Sequence, residues 1–261
     1  MIRLSMHTDN WRCLSGSLES AVAAARKFGL DHIEFGVVDG QDFIQGLGYS
    51  PAVSLDSNPI RLRRHLDAHG LRVSQIDAGY PITGPLGATF GVRYMQRAIQ
   101  FAAAVGCPCV DTTDGATKPA GYSDSEVLAI TKENFRQILP WAEDYQVTVN
   151  IETHGPYTND PEILGLMLSF FDSPLLKLNL DTGNTFIAGG NPVDFLRRFL
   201  PKLGYMHIKD VSASMAAAMR GEETGIAMSE SSIGQGVNAD NTAKCIELLK
   251  QADWDGVLSV E

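Results

Sequence analysis

Four residues whose side chains can bind a divalent cation end four apolar segments of the sequence: Glu152, Asp181, His207 and Glu261. Three carboxylates and one imidazole form a set of mostly hard oxygen and nitrogen ligands, which favours Mn²⁺, with Mg²⁺ or Co²⁺ as alternatives, over a structural zinc bound by thiolates. Four protein ligands would leave an octahedral ion two positions for substrate oxygens. A metal ion with open positions could polarise a bound carbonyl oxygen and so assist proton transfer at the neighbouring carbon.

A further histidine follows the first of these ligands in the stretch VTVNIETHG, residues 147–155. His154 lies two residues beyond Glu152, and alternation along a strand places both side chains on the same face. An imidazole is suited to general base catalysis near neutral pH. We therefore predict that His154 is a catalytic base.

Short apolar segments that alternate with helical patterns must position these residues. The predicted strands lie near 2–7, 31–36, 71–77, 107–113, 147–153, 175–181, 204–210 and 255–261. The predicted helices are 17–29, 58–69, 89–105, 123–145, 160–171, 191–202 and 238–252, and the cap residues include Ser17, Asn58, Ser123 and Asp160. Eight strands and seven helices predict an α/β protein, a single (β/α)8 TIM-barrel domain over residues 1–261. An open doubly wound sheet fits the strand count less well.

The last predicted strand ends at Glu261, so the helix that would complete the barrel is absent from this chain. We expect either a longer natural chain or a second chain that covers this end.

Side-chain parity indicates that the barrel interior is polar. In each of several strands, one face is apolar and the other carries ionisable or amide groups. The apolar faces should pack on the helices, so the polar faces should point inward, where burial is costly unless the groups are paired or bound to a metal. Neighbouring strands are about 4.8 Å apart, so the four candidate ligands should converge at the catalytic end of the barrel. Four unrelated polar residues at strand ends are the competing interpretation. The inward-facing residues include Arg3, Ser5, His7, His32, Glu34, Asn150, Glu152, His154, Lys177, Asn179, Asp181, Tyr205, His207, Lys209, Ser259 and Glu261.

Composition excludes some classes of partner. The net charge of −10 offers no basic surface for phosphates, so we expect no nucleic acid partner. No apolar run approaches the roughly 18 residues of a membrane span, and no signal-peptide core is present, so we expect no membrane association and a cytoplasmic location. The cysteines do not form a disulfide framework, and Cys107 and Cys109 are predicted to be buried, reduced thiols.

Four motifs resemble the sugar phosphate isomerase/epimerase superfamily of xylose-isomerase-like barrels: NIETHG (150–155), LNLDTGN (178–184), MHIKD (206–210) and GVLSVE (256–261). The resemblance spans nearly all of the chain and implies a metal held by Glu152, Asp181, His207 and Glu261. It also implies that Glu152 and Glu261 are catalytic, since the matching glutamates of ketose epimerases exchange protons with substrate.

Two departures from the superfamily pattern narrow the expected function. Many relatives have a histidine three residues after the metal aspartate, where this chain has Asn184. The related nucleases need histidines at the third and fourth strand ends, where this chain has Asp77 and Thr112 or Thr113. A nuclease site with three metals therefore cannot form.

Residues 211–241 are similar to a segment of the large subunits of C-glycoside deglycosidases, which act with a small second subunit. The first hypothesis is a metal-dependent sugar isomerase or epimerase, and the alternative is a lyase that cleaves 3-keto C-glycosides by β-elimination. A third is a non-catalytic sugar-binding or assembly subunit. We expect a small sugar or glycoside as substrate and an oligomer, with a small second subunit in the lyase case. The predicted substrate-binding residues are His7, Glu34, Asn184, Lys209 and Arg220.

These secondary assignments have structural alternatives. For His7, Glu34 and Lys209, an ion pair without a substrate role is an equally good interpretation. For Arg220, a solvated charge in the long loop after the seventh strand is the favoured alternative to a substrate contact. The short run Gly234-Gln235-Gly236 is predicted to be a turn and not a phosphate-binding loop.

Overall fold

The structure, a computed structural model, describes residues 1–11, 17–39, 52–221 and 231–261. The strands are β1 (Arg3–Met6), β2 (His32–Val38), β3 (Val53–Ser54), β4 (Arg72–Pro81), β5 (Cys109–Thr113), β6 (Thr148–Glu152), β7 (Leu176–Asp181), β8 (Leu203–Ile208) and β9 (Val257–Val260). They form one parallel sheet in the order β1-β9-β8-β7-β6-β5-β4-β2-β3. A parallel bridge between His7 and Glu34 brings β1 against β2 and closes eight of the strands into a barrel.

The prediction of a (β/α)8 barrel is confirmed, and each predicted strand is present with its ends shifted by a few residues. The short β3 was not predicted. It pairs with the C-terminal end of β2 and has two residues, too few for a pattern of alternation to show in the sequence. β1 pairs with β9, the last strand of the chain, and Leu4 on β1 is 56% exposed beside it.

Helices connect successive strands around the barrel. They are α1 (Leu18–Lys27), α2 (Pro59–Ala68), α3 (Gly84–Leu86), α4 (Val92–Val105), α5 (Asp124–Tyr145), α6 (Pro161–Leu168), α7 (Thr182–Ile187), α8 (Pro192–Phe199), α9 (Ala213–Met219) and α10 (Ala239–Gln251), with a π-helical turn, Gly87–Gly91, between α3 and α4. The predicted caps are confirmed. Ser17, Asn58 and Asp160 each accept from a first-turn backbone N–H, and Ser123 forms a capping box with Glu126.

Three short helices, α3, α7 and α9, were not predicted. They lie in loops that leave the C-terminal end of the barrel, after β4, β7 and β8. None is longer than 7 residues, so none displays a clear helical repeat in the sequence.

The core has an apolar outer layer and a polar inner layer. Ile33, Phe35, Leu178 and Leu180 are fully buried on the helix-facing side of their strands. Inside the barrel, Tyr205 of β8 reaches Ser74 of β4 and Glu34 of β2, which confirms that the polar faces point inward. Arg3 is an exception to the predicted parity: it lies near the N-terminal end of the barrel, half exposed, and pairs with Asp255.

Two predictions from composition can be compared with the described residues. Cys107, Cys109 and Cys245 are buried free thiols, as expected for the first two, and Cys13 lies outside the described ranges. Among the helices of the described ranges, none combines the length and the apolar character that a membrane span requires.

Candidate metal centre and active site

The ends of four consecutive barrel strands bring four candidate metal ligands together. Glu152 is the last residue of β6 and Asp181 the last of β7, His207 lies near the end of β8, and Glu261 directly follows β9. One ligand atom of each residue lies within 4.8 Å of the ligand atoms of the other three. The structure thus assembles the set that the shared strand phase predicts.

The three carboxylates surround one imidazole nitrogen. Nδ1 of His207 lies 2.8 Å from Oε2 of Glu261, 3.2 Å from Oε1 of Glu152 and 4.0 Å from Oδ2 of Asp181. Oδ2 of Asp181 and Oε2 of Glu261 are buried and have no hydrogen bond of good geometry in the described structure. Because buried anionic oxygens are costly unless a cation compensates them, this donor set fits a divalent metal ion.

The local fold separates the two oxygens of Asp181 by function. Oδ1 caps α7 by accepting from the backbone N–H groups of Gly183, at 2.7 Å, and Asn184, at 2.9 Å. Oδ2 therefore points to the cluster. A side chain at position 183 would place its Cβ 2.7 Å from Cγ of Lys209, so the glycine of LDTGN leaves room for that lysine.

Lys209 is a buried cation beside the cluster. Its Nζ lies 3.0 Å from Oδ2 of Asp181 and donates to Oε1 of Glu261 at 2.8 Å. Burial by itself would lower the pKa of Lys209, but the charges of Asp181 and Glu261 raise it. Asn184 lies between Lys209 and Glu152: it accepts from Nζ at 3.5 Å and donates to Oε1 of Glu152 at 3.4 Å.

The protein groups around the cluster shift the pKa values of its members in different directions. Burial by itself would lower the pKa of His207, but Glu34 and Glu261 raise it well above its usual range. Burial by itself would raise the pKa of Glu261, but Lys209 and His207 lower it well below its usual range. The pKa of Glu152 is raised, chiefly by burial. Of the two glutamates, Glu152 therefore holds a proton more readily when protein groups alone act on it.

His154 lies at the edge of this cluster. Its Nδ1 is buried and has no hydrogen-bond partner in the described structure. His154 is among the groups that act on the pKa of the nearby Glu152, which burial raises. The structure therefore brings a buried imidazole nitrogen without a protein partner close to a candidate metal ligand.

A buried carboxylate from the neighbouring strand end holds the loop that contains His154. Asp114 accepts from the backbone N–H groups of Gly155, Tyr157 and Thr158 at 2.7, 2.7 and 3.0 Å. The hydroxyl of Thr158 in turn accepts from the backbone N–H of His154 at 2.8 Å. A Cβ at position 155 would lie 1.8 Å from a backbone oxygen, so the glycine of THG is required for this close approach.

The other two inward residues predicted to bind sugar hydroxyls, His7 and Glu34, are both buried and lie against protein groups. Nε2 of His7 lies 3.5 Å from Oδ2 of Asp77, and its ring lies 5.8 Å from that of His207. Oε1 of Glu34 lies 2.9 Å from Nε2 of His207. Glu34 therefore contacts a candidate metal ligand directly.

Two further buried residues belong to the same network and were not singled out from the sequence. Nε2 of Gln75 donates to Oε1 of Glu34 at 2.9 Å and to Oδ2 of Asp111 at 3.1 Å. Burial raises the pKa of Asp111 well above its usual range. The parity applied to the other strands would have placed both side chains inside the barrel, because they alternate with Ile76 and Val110.

Arg220 is engaged with the end of α7. Its guanidinium lies 3.9 Å from the ring centroid of Phe186 and donates to the backbone oxygens of Phe186 and Gly189. The structure therefore places this predicted sugar ligand in contact with protein groups and does not bring it into the metal cluster.

The Gly234-Gln235-Gly236 run forms a turn around a carboxylate. The N–H groups of Gly234 and Gly236 both donate to Oδ2 of Asp210 at 2.9 Å, which agrees with the predicted turn. Residues 222–230, within the segment that resembles deglycosidase subunits, lie outside the described ranges.

The fold and the site together define a TIM barrel with a candidate divalent metal centre at the C-terminal ends of its strands. Residues 22–261 match the model of the xylose isomerase-like TIM barrel family, and the chain belongs to that family. The superfamily predicted from the four sequence motifs is confirmed.

Individual relatives are distant. An inosose dehydratase of Clostridium botulinum is 25% identical over 83 residues, which are 31% of this chain and 28% of the length of that relative. The structure of the IOLI protein with a binding zinc atom is similar with a TM-score of 0.76 at 18% identity and covers 99% of this chain and 88% of that one. The structure of the 3-keto-D-glucoside 4-epimerase YcjR from E. coli is similar with a TM-score of 0.75 at 14% identity. The match covers 100% of this chain and 92% of that one.

Proposed function

We propose that this protein is a divalent-metal-dependent isomerase or epimerase of keto sugars. The observation that supports the proposal most directly is the convergence of Glu152, Asp181, His207 and Glu261 at the strand ends. This is the end of a TIM barrel where active sites lie. Mn²⁺ is the proposed ion, because the ligand set is dominated by carboxylate oxygens.

The reaction would begin with removal of the proton on the carbon beside the substrate carbonyl. A bound divalent cation supplies electrostatic stabilisation of the enediolate that results. Glu152 and Glu261 belong to β6 and to the end of β9, with β7 and β8 between them. This separation suits proton removal by one glutamate and proton return by the other, on opposite faces of the carbon.

Three further residues would support the reaction by holding the two glutamates or by contacting the substrate. Lys209 and Asn184 hold the carboxylates of Glu261 and Glu152 in place, so these side chains face the substrate in one conformation. His7 is the remaining candidate for a hydroxyl contact at the rim. Because the cluster is largely buried, its electrostatic interactions are stronger than those of exposed groups.

A second candidate function is a lyase that eliminates a leaving group from a 3-keto glycoside, such as the aglycone of a C-glycoside. His154 favours it, because a base separate from the metal ligands can remove the proton while the leaving group departs from the adjacent carbon. The matched relative is named a dehydratase, and the structural neighbour YcjR is named for a 3-keto glucoside. A non-catalytic sugar-binding subunit agrees less well with a complete ligand set.

One experiment separates the two reactions. The protein would be incubated with Mn²⁺ in D₂O, with ketoses in one series and 3-keto C-glycosides in the other. Deuterium beside the carbonyl without aglycone release supports the isomerase or epimerase, and aglycone release supports the lyase. Absence of both reactions with every substrate would contradict both proposals.

Two variants, one in the metal cluster and one on the surface, test whether the cluster is the active site. Glu152→Gln is expected to abolish turnover, whereas Glu162→Gln, on the exposed surface of α6, is expected to retain it. Normal turnover and metal binding by Glu152→Gln would show that the site is elsewhere.

The proposed setting is the cytoplasm, with the protein in an oligomer. A small second subunit is proposed only with the lyase function. Purification of the tagged protein from its natural host, with identification of any small chain that co-elutes in stoichiometric amount, tests that part of the proposal.

A further inference from the structure

We propose that Glu34 is a positioning residue that orients His207 so that Nδ1, and not Nε2, binds the metal ion. This inference rests on the proposed metal-dependent function. It replaces the expectation from sequence that Glu34 binds sugar hydroxyls.

The two nitrogens of His207 face different surroundings. Nε2 lies 2.9 Å from Oε1 of Glu34, deep in the barrel, whereas Nδ1 faces the carboxylates of Glu152 and Glu261. A neutral imidazole has one N–H and one lone pair. If Nε2–H donates to Glu34, then the lone pair is on Nδ1 and points at the cluster. A carboxylate in this position also makes the ligand nitrogen more basic.

Glu34 is itself held rigidly. Its side chain is fully buried. Oε1 accepts from Nε2 of Gln75 at 2.9 Å, and Oε2 accepts from the hydroxyl of Tyr205 at 3.2 Å. Gln75 is held in turn by Nδ2 of Asn150, which donates to its Oε1 at 2.6 Å. A carboxylate fixed by several donors can fix the ring that contacts it.

A second cation between Glu34, Asp111 and His207 is the competing interpretation, because their ligand atoms also lie within 4.8 Å of one another. The amide groups of Gln75 and Asn179 argue against it. Nε2 of Gln75 donates to both carboxylates, and Nδ2 of Asn179 donates to Oδ2 of Asp111 at 3.0 Å. A cation at that place would meet N–H donors, whose positive ends repel it.

The first test measures the affinity of the protein for metal ions. Apo protein would be titrated with Mn²⁺ by calorimetry and with Co²⁺ by its visible spectrum. Glu34→Ala is expected to bind both ions about 10- to 100-fold more weakly, the range found when such a supporting carboxylate is lost. Glu34→Gln, whose amide oxygen can still accept from Nε2–H, is expected to restore much of the affinity.

Asn134→Ala is the matched control for general destabilisation. Asn134 is buried in α5 and donates to the backbone oxygen of Ile82, and the described structure gives it no contact with the metal cluster. It is expected to lower the unfolding temperature and leave metal affinity unchanged. An equal loss of affinity in Asn134→Ala and Glu34→Ala would overturn the positioning role.

The wild-type protein alone provides a second test, which does not depend on a variant that folds. In protein labelled with ¹⁵N on histidine and loaded with Zn²⁺, the ring shifts of His207 are expected to show a proton on Nε2 and metal on Nδ1. Metal on Nε2 would overturn the inference and leave the proposed function standing. Absence of any metal binding by the wild type would overturn both.

Discussion

The interior of the barrel and its rim contain the same kinds of polar side chain but pair them differently. In the interior, Glu34 and Asp111 both accept from the amide of Gln75 placed between them, and Glu34 also contacts Nε2 of His207. At the rim, which is formed by the C-terminal ends of β6 to β9, the carboxylates of Glu152, Asp181 and Glu261 face one another. The nearest compensating groups are His207 and Lys209, which are the only two cationic side chains that the described residues show within 4 Å of these carboxylates.

The difference lies in how much of the negative charge protein groups compensate. A buried carboxylate that accepts from neutral donors is satisfied by the fold itself. Buried carboxylates that face one another remain costly until a cation joins them. Carboxylates in the barrel interior are thus satisfied by protein groups, whereas carboxylates at the strand ends form a candidate site for an ion.

Metal removal is expected to have the largest effect. Treatment with a chelator should lower turnover by about 1,000-fold or more, since a cation stabilises the developing negative charge by several kcal/mol. Deuterium exchange into the keto sugar substrate measures the loss, and added Mn²⁺ should restore the rate. Full activity in excess chelator would show that the carboxylates at the rim need no cation, as those in the interior need none.

His154→Ala is expected to lower kcat by about 100- to 10,000-fold, the usual contribution of a general base. Metal affinity should not change, because His154 is not among the four ligands. Steady-state kinetics and calorimetry on the same preparation measure the two quantities. His69→Ala, on the exposed surface after α2, is the control and should retain full kcat. Unchanged turnover of His154→Ala would rule out its role as base.

Lys209→Met is expected to destabilise the metal-free protein by about 3–5 kcal/mol, because it leaves the buried carboxylates of Asp181 and Glu261 without their cation. The loss should be smaller with Mn²⁺ present, since a bound ion stabilises the folded state and compensates the same charges. Denaturant unfolding with and without Mn²⁺ measures both values. Lys118→Met, which breaks an exposed ion pair, should cost less than about 1 kcal/mol.

Asn150→Leu is expected to have the smallest effect, a loss of about 1–3 kcal/mol in the free energy of unfolding. It removes the donor to Oε1 of Gln75 within the interior network. Because Gln75 holds Glu34, which is proposed to orient His207, Mn²⁺ should bind less tightly and the loss should be larger with Mn²⁺ than without it. A loss that Mn²⁺ reverses would contradict the link from Asn150 to the metal ligand.

Much of this architecture could be predicted from the chain itself. Alternation placed the strands, and capping residues such as Ser123 and Asp160 placed helix starts, because both signals are local. The shared phase of Glu152, Asp181 and His207 pointed to one inward cluster. The same parity was not applied to Gln75 and Asp111, and so the interior network was missed although its signal was present.

The role of Glu34 could not be predicted in this way. Parity tells which face of a strand a residue occupies but not its depth along the barrel axis. Depth depends on the stagger between strands, and the pairing register shifts between Ile33 and Glu34 in β2 and between Leu178 and Asn179 in β7. The contacts of Arg220 with α7 cannot be predicted for a related reason, because they depend on how a long loop folds back.

The class of fold, the inward polar face and the identity of the four candidate ligands can be predicted from the chain, because they follow from local period and residue chemistry. Which polar groups are satisfied by protein partners, and which face a shared cation site, is known only from the three-dimensional arrangement. That distinction depends on distances between side chains of different strands. Such distances are set by barrel closure and register, for which no single segment of the sequence contains the information.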